Sequence, residues 1–116
     1  MATTRCDTPM RCAVLAALVA CLLIAAAAGA AQHSEQLYSR GLVEFHAGRY
    51  ADAFRLFDDA VHADPQDVQA LYYRGVTGAR LGDFRAAVND LRAVLTMRPD
   101  LDQAALELGV ALVEAD

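Results

Sequence analysis

The sequence predicts an all-α fold: an antiparallel helix-pair solenoid of about two and a half repeats, preceded by an N-terminal signal helix. Three observations carry this reading. A long apolar run opens the chain, residues of matching type recur every 34 positions, and the segments between recurring Gly and Pro carry apolar stripes of helical period.

The opening segment has to be set aside before the fold is considered. Residues 12–31 (CAVLAALVACLLIAAAAGAA) hold no charge, follow Arg5 and Arg11, and give way to Gln32, His33, Ser34 and Glu35. A positive flank, an apolar run and small residues at its exit describe a secretory signal peptide over residues 1–30. Ala28-Gly29-Ala30 fits a small-x-small cleavage site, with the mature chain starting at about Ala31. Two other readings stand beside it. The run 12–31 is long enough to act as an uncleaved membrane anchor. Leu18-Val19-Ala20-Cys21 also resembles a lipobox whose Cys21 would be lipidated, although Leu22, Leu23 and Ile24 stay apolar where a mature lipoprotein turns polar. All three place the folded part outside the cytoplasm, and the expected location is periplasmic.

Composition narrows the function. The 116 residues carry 10 basic side chains, every one of them Arg, against 15 acidic ones, for a net charge of −5. Nucleic-acid binding is disfavoured, because neutralising phosphates needs a basic stripe. Cys6, Cys12 and Cys21 all precede Gln32, so the folded part has neither a disulfide nor a thiolate for catalysis or metal binding. An Ala-rich, all-Arg chain is also associated with GC-rich bacterial sources.

The repeat is read from its spacing. Gly41, Gly75 and Gly109 are each 34 apart, as are Leu37 and Leu71, Tyr38 and Tyr72, Arg40 and Arg74, Gly48 and Gly82, Tyr50 and Phe84, Ala53 and Ala87, and Pro65 and Pro99. Between the Gly and Pro marks, Ala53, Phe54, Phe57, Ala60 and Val61 form an apolar stripe of helical period. Gly41 and Ala53 are small where two helices have to cross closely. Gly48 and Gly82 can take the positive φ that ends a helix, and Pro65 and Pro99 stop the second helices. Asp100-Leu101-Asp102-Gln103 reads as a capping box with Asp100 as the cap. These signals predict helices near 35–47, 51–63, 67–81, 85–97 and 101–114.

The pattern resembles the tetratricopeptide repeat in period and residue types. A large apolar residue and Gly on a first helix, Gly-x-aromatic at the turn, Ala-x-x-x-aromatic-x-x-Ala on a second helix and a closing Pro are met by Leu37, Gly41, Gly48, Tyr50, Ala53, Phe57, Ala60 and Pro65. Leu71, Gly75, Gly82, Phe84, Ala87, Leu91, Val94 and Pro99 repeat them. The resemblance runs from Ser34 to the C-terminus and divides the chain into a first repeat, 34–67, a second, 68–101, and the first helix of an incomplete third, 102–116. It departs from the family where Arg40 and Arg74 precede the first-helix Gly, and at Glu44 and Gly78, often an aromatic position. Gly78 weakens its helix by about 1 kcal/mol relative to Ala. The two arginines are placed to pair with carboxylates of neighbouring helices, Asp59 and Asp90 being the candidates.

What the resemblance implies for function is a concave groove, lined by the first helices, that holds an extended peptide or a partner helix. Carried over by repeat position, the groove residues are Glu35, Tyr38, Leu42, Phe45 and His46, then Gln69, Tyr72, Val76 and Arg80, then Gln103, Leu106 and Val110. Tyr38 and Tyr72 would form a ladder of amphipathic anchors; the alternative is that they pack helix against helix. The groove lacks the Lys and Asn set by which some relatives clamp a terminal carboxylate.

No chemistry competes with binding. His33, His46 and His62 do not pair at i, i+3 or i, i+4, Asp58-Asp59 and Asp100/Asp102 read as a solvated face and a cap, and no phosphate loop or nucleophile motif is present. The chain is therefore not expected to be an enzyme and implies no cofactor or metal; a hydrolase would need a constellation this segment lacks. The expected function is a protein-interaction scaffold of the bacterial envelope, with the N-terminal periplasmic module of a larger export or outer-membrane assembly protein as the alternative. The last helix is apolar almost all round, whereas a terminal solenoid helix needs a polar outer face. That favours a fragment of a longer repeat protein and predicts self-association of the isolated chain through the bare face of 101–114.

Overall fold

The computed structural model describes residues 9–116, so Arg5 and Cys6 of the leader lie outside the described residues. Its elements are α1 (Pro9–His46), α2 (Tyr50–Ala63), α3 (Val68–Arg80), α4 (Phe84–Met97) and α5 (Asp102–Ala115). The chain divides into two compact units, one ending at Ala30 and the other covering Ala31–Asp116.

In the first unit α1 presents exposed Leu15, Leu18, Leu22, Leu23 and Ile24. The helix is long and apolar enough to cross a membrane, a test that a signal sequence also passes. The first repeat helix was expected to start near residue 35, but α1 runs unbroken from Pro9 to His46. No proline follows Pro9 in this stretch, and the Ala run around Gly29 supplies the strongest helix former, which outweighs the roughly 1 kcal/mol that one glycine costs.

In the second unit each helix lies against its neighbours in sequence: α3 packs on α2 and α4, α4 on α5, and α3 also touches α5. The period of 34 is the period of the core. Ala53 and Ala87, Phe57 and Leu91, and Ala60 and Val94 are all fully buried, as are Ala70 and Ala104. The first helices approach so closely because of the glycines. A Cβ on Gly41 would stand 2.6 Å from the Phe57 ring, and one on Gly75 would meet Asp90 at 3.2 Å and Leu91 at 3.3 Å. In both repeats the glycine thus receives the large apolar side chain sixteen residues on.

The turns follow the same rule. Gly48 and Gly82 adopt φ of 79° and 87°. The amide of Arg49 donates to the Glu44 carbonyl at 2.9 Å, and that of Asp83 to the Gly78 carbonyl at 2.9 Å, the six-to-one bond of a Schellman turn. Capping departs from expectation. Asp67 caps α3 through the amides of Gln69 and Ala70, and Asp83 caps α4 through that of Ala86. Asp100 caps nothing: α5 begins after Leu101, with no side-chain cap. The position equivalent to Asp67 one repeat on is Leu101, so Asp100 sits one residue too early and binds the Arg98 guanidinium through two hydrogen bonds of 3.0 Å instead.

Gly109, the third glycine of the series, meets nothing within 4 Å of its Cβ position. Urea unfolding therefore separates the series. Gly41→Val is expected to lose about 2–3 kcal/mol through overpacking against Phe57, whereas Gly109→Ala gains up to about 1 kcal/mol from helix propensity alone.

Candidate protein-binding groove

Three polar and aromatic ties hold in place the first helices, which carry the candidate groove residues. The first is Ser34, fully buried, whose Oγ lies 3.0 Å from the Ala60 carbonyl and 2.9 Å from the Asp67 carboxylate. One hydroxyl thereby fixes α1 to the end of α2 and to the cap of α3.

The second tie is Arg74. Its guanidinium donates to both Asp90 oxygens at 2.9 and 2.7 Å and to Asp58 at 2.8 Å, so α3 is held to α4 and α2 at once. Hydrogen bonding to Asp90 raises the arginine further above its ordinary value, against the opposing effect of burial. The expected Arg74–Asp90 pair is thus present, but the α2 partner is Asp58 and not Asp59. Arg40 remains exposed. The residue that would face it, one period before Asp90, is Leu56.

The third tie is a cluster of rings. Tyr73 packs on Tyr38 (5.7 Å between centroids), Phe45 (5.6 Å), Phe57 (5.5 Å) and Tyr72 (5.2 Å). Tyr38 also meets Phe57 at 6.0 Å, and Phe45 meets Tyr50 at 5.4 Å. Tyr73 is the hub, and repeat arithmetic passes over it because its equivalents are Ser39 and Glu107. The only signal was a second tyrosine beside Tyr72.

These ties place the expected groove residues unequally. Tyr38, Leu42, Phe45 and Tyr72 are half-buried, His46 and Arg80 are exposed, and Leu106 is 65% exposed. Val76 is 5% exposed, its side chain taken up by packing, and it offers no groove surface in this chain. The Tyr38 and Tyr72 rings are each packed on Tyr73, and each residue keeps part of its surface open.

Between the first turns of α3 and α5 lies a cavity of about 260 Å³, walled by Val68, Tyr72, Tyr73, Leu101 and Ala104 with the carboxamides of Gln69 and Gln103 at its edge. The two glutamines are 34 residues apart and so repeat the same donor and acceptor groups along the groove. Burial raises the Tyr72 phenol above its ordinary value, reinforced by Glu107 and Tyr73; burial does the same for Tyr38, reinforced by Tyr73 and Asp67. Among the described residues no group of three or more His, Cys, Asp or Glu side chains gathers as a metal site.

Repeated helix pairs locked by glycine-to-large-residue contacts define a helical-repeat scaffold of the kind that binds proteins. The tetratricopeptide repeat model matches residues 19–68, 38–83 and 79–116, and the chain belongs to that family. It is similar to DnaJ homolog subfamily C member 3 of Mus musculus and of Homo sapiens, 35% identical over 68 residues in each case, which is 59% of this chain and 14% of theirs. It is also similar to the FK506-binding protein-like protein of Rattus norvegicus, 39% identical over 57 residues, 49% of this chain and 16% of that one. The chain thus spans about a seventh of the curated relatives it matches.

Two outcomes test the ties. Arg74→Met strands Asp90 in a largely buried position and is expected to cost about 2–3 kcal/mol in urea unfolding, while Arg98→Ala, in an exposed pair, leaves the urea midpoint unchanged. For the tyrosines, a phenol pKa raised in the folded state means a stabilising contribution that is complete below the unfolded value of about 10 and is lost as pH rises through the folded value. Tyr38→Phe/Tyr72→Phe is therefore expected to flatten the fall of helical circular dichroism above pH 10.

Proposed function

We propose that the chain is an exported interaction scaffold that holds an extended segment of a partner protein along the first-helix groove. The cavity between α3 and α5 carries this reading. It is open, and it is lined by Tyr72 and Tyr73 together with Gln69 and Gln103, which stand one repeat apart. Peptide groups of an extended segment would hydrogen-bond to the two carboxamides, and one apolar side chain would enter the cavity. Tyr38, Leu42, Phe45 and His46 continue the surface on one side and Leu106 on the other, with Arg80 at the far end of α3.

The apolar leader supports export, and with it the all-Arg composition supports a periplasmic site in a bacterium, by a cleaved signal, an uncleaved anchor through 12–31 or a lipid on Cys21. The matched relatives are roughly seven times the length of the aligned segment. That observation favours a second reading, in which this unit is one module of a larger export or outer-membrane assembly protein. The bare α5 adds self-association through 101–114.

Capture of partners by the tagged full chain tests the groove. Gln69→Ala/Gln103→Ala and Tyr38→Ala/Tyr72→Ala are expected to weaken capture about tenfold, the loss of hot-spot contacts worth more than about 1 kcal/mol. Retention of every partner by both variants overturns the reading.

A further inference from the structure

Glu107 is the neighbour of the cavity between α3 and α5 that the groove reading leaves unused. It stands four residues after Gln103 and three after Ala104, on the same face of α5 and one turn further along than the cavity wall. It is half-buried, and its charge acts on the Tyr72 phenol. Among the described residues no side chain forms an ion pair or hydrogen bond with its carboxylate. A carboxylate in the first turn of a helix is stabilised by the helix dipole, but Glu107 is the sixth residue of α5 and lies beyond that turn. A half-buried carboxylate beside an aromatic ring, with no cation to meet it, is a place that a cation from outside the chain would stabilise.

The charge at this end of the groove is of one sign. Position 35 is the equivalent of 69 and 103, and it holds Glu35 where the next two repeats hold Gln69 and Gln103. Glu35 is exposed and, among the described residues, also without an ion pair. Asp102, beside Gln103, is a further exposed acid. The arginines are engaged elsewhere or lie far along the helices. Arg74 and Arg98 are held by Asp58, Asp90 and Asp100, and Arg40 lies near Glu44. Arg80 is eleven residues on from Gln69, about 16 Å along α3. A tyrosine-walled cavity thus opens between carboxylates that nothing in the chain neutralises.

We propose that the segment held here is cationic: an apolar side chain fills the cavity, and Arg or Lys residues flanking it meet Glu107 and Glu35. This rests on the groove reading and adds to it the chemistry of the occupant. The Tyr72 ring supports the same choice, because its face attracts a cation and its edge lies beside the acid that the cation pairs with. An acidic segment is repelled at both carboxylates, and a neutral one leaves them unpaired.

The test is binding of labelled model peptides to the full chain, read by fluorescence anisotropy. The peptides share one extended sequence with a central Leu flanked by Arg, by Gln or by Glu. The Arg-flanked peptide is expected to bind about tenfold more tightly than the Gln-flanked one, and the Glu-flanked peptide more weakly than either. In Glu35→Gln/Glu107→Gln the Arg-flanked peptide falls to the affinity of the Gln-flanked one, whose own binding is unchanged. Asp59→Asn/Asp116→Asn removes the same amount of charge from exposed positions outside the groove and keeps the preference. The inference is overturned if the wild type binds Arg- and Gln-flanked peptides equally, if Glu35→Gln/Glu107→Gln keeps the preference, or if the outlying pair abolishes it as fully. In those cases a loss of Gln-flanked binding in Gln69→Ala/Gln103→Ala leaves the groove reading standing. Absence of binding by every peptide overturns both.

Discussion

The unit is organised by the contact of a first-helix glycine with a large side chain on the second helix. Gly41 accepts the ring of Phe57 and Gly75 accepts Leu91, in each case with less room than one methyl group needs. That contact sets the distance between paired helices, and other choices follow from it. Ala53, Ala87 and Ala60 are small because the helices are already close, and the turns need Gly48 and Gly82 because only a tight reversal returns the second helix to the glycine. Dispersion and burial then accumulate along a stripe whose period is that of the chain itself.

Features that repeat were legible in the sequence. The glycines, the alanines and the positions of Phe57, Leu91, Pro65 and Pro99 recur at 34 because each solves the same local packing problem, and helix and turn positions followed from them to within a residue or two. Features that occur once were not legible. Tyr73 has no counterpart, so nothing in the repeat marks it as the ring that joins Tyr38, Phe45 and Phe57. Asp100 matched a cap motif but stands one position early, and the one-residue offset gives its carboxylate to Arg98. Val76 was assigned to the groove by its repeat position, yet packing covers it. The start of α1 was misread for a different reason: a leader and a repeat helix can share one uninterrupted helical backbone when no breaker separates them.

The two arginines show how much context a repeat withholds. Arg40 and Arg74 occupy equivalent positions, but Arg74 is hydrogen-bonded across helices, to Asp58 from the preceding second helix and Asp90 from its own, whereas Arg40 lies exposed near Glu44 of its own helix. Leu56 stands where Arg40 would need Asp90's counterpart. The buried charge is tolerated because its guanidinium meets both carboxylates with hydrogen bonds of 2.7–2.9 Å, which meets the condition under which an ion cluster repays its desolvation.

Arg74 also acts as a hinge pin. Its three bonds fasten α2, α3 and α4 at one point, which ties the second helix of the first repeat to both helices of the second. Any change in the splay of the repeats has to rotate about that point or break it. Salt screens half-buried charges only weakly, so the three helices stay fastened at Arg74 under conditions that loosen an exposed pair such as Arg98–Asp100.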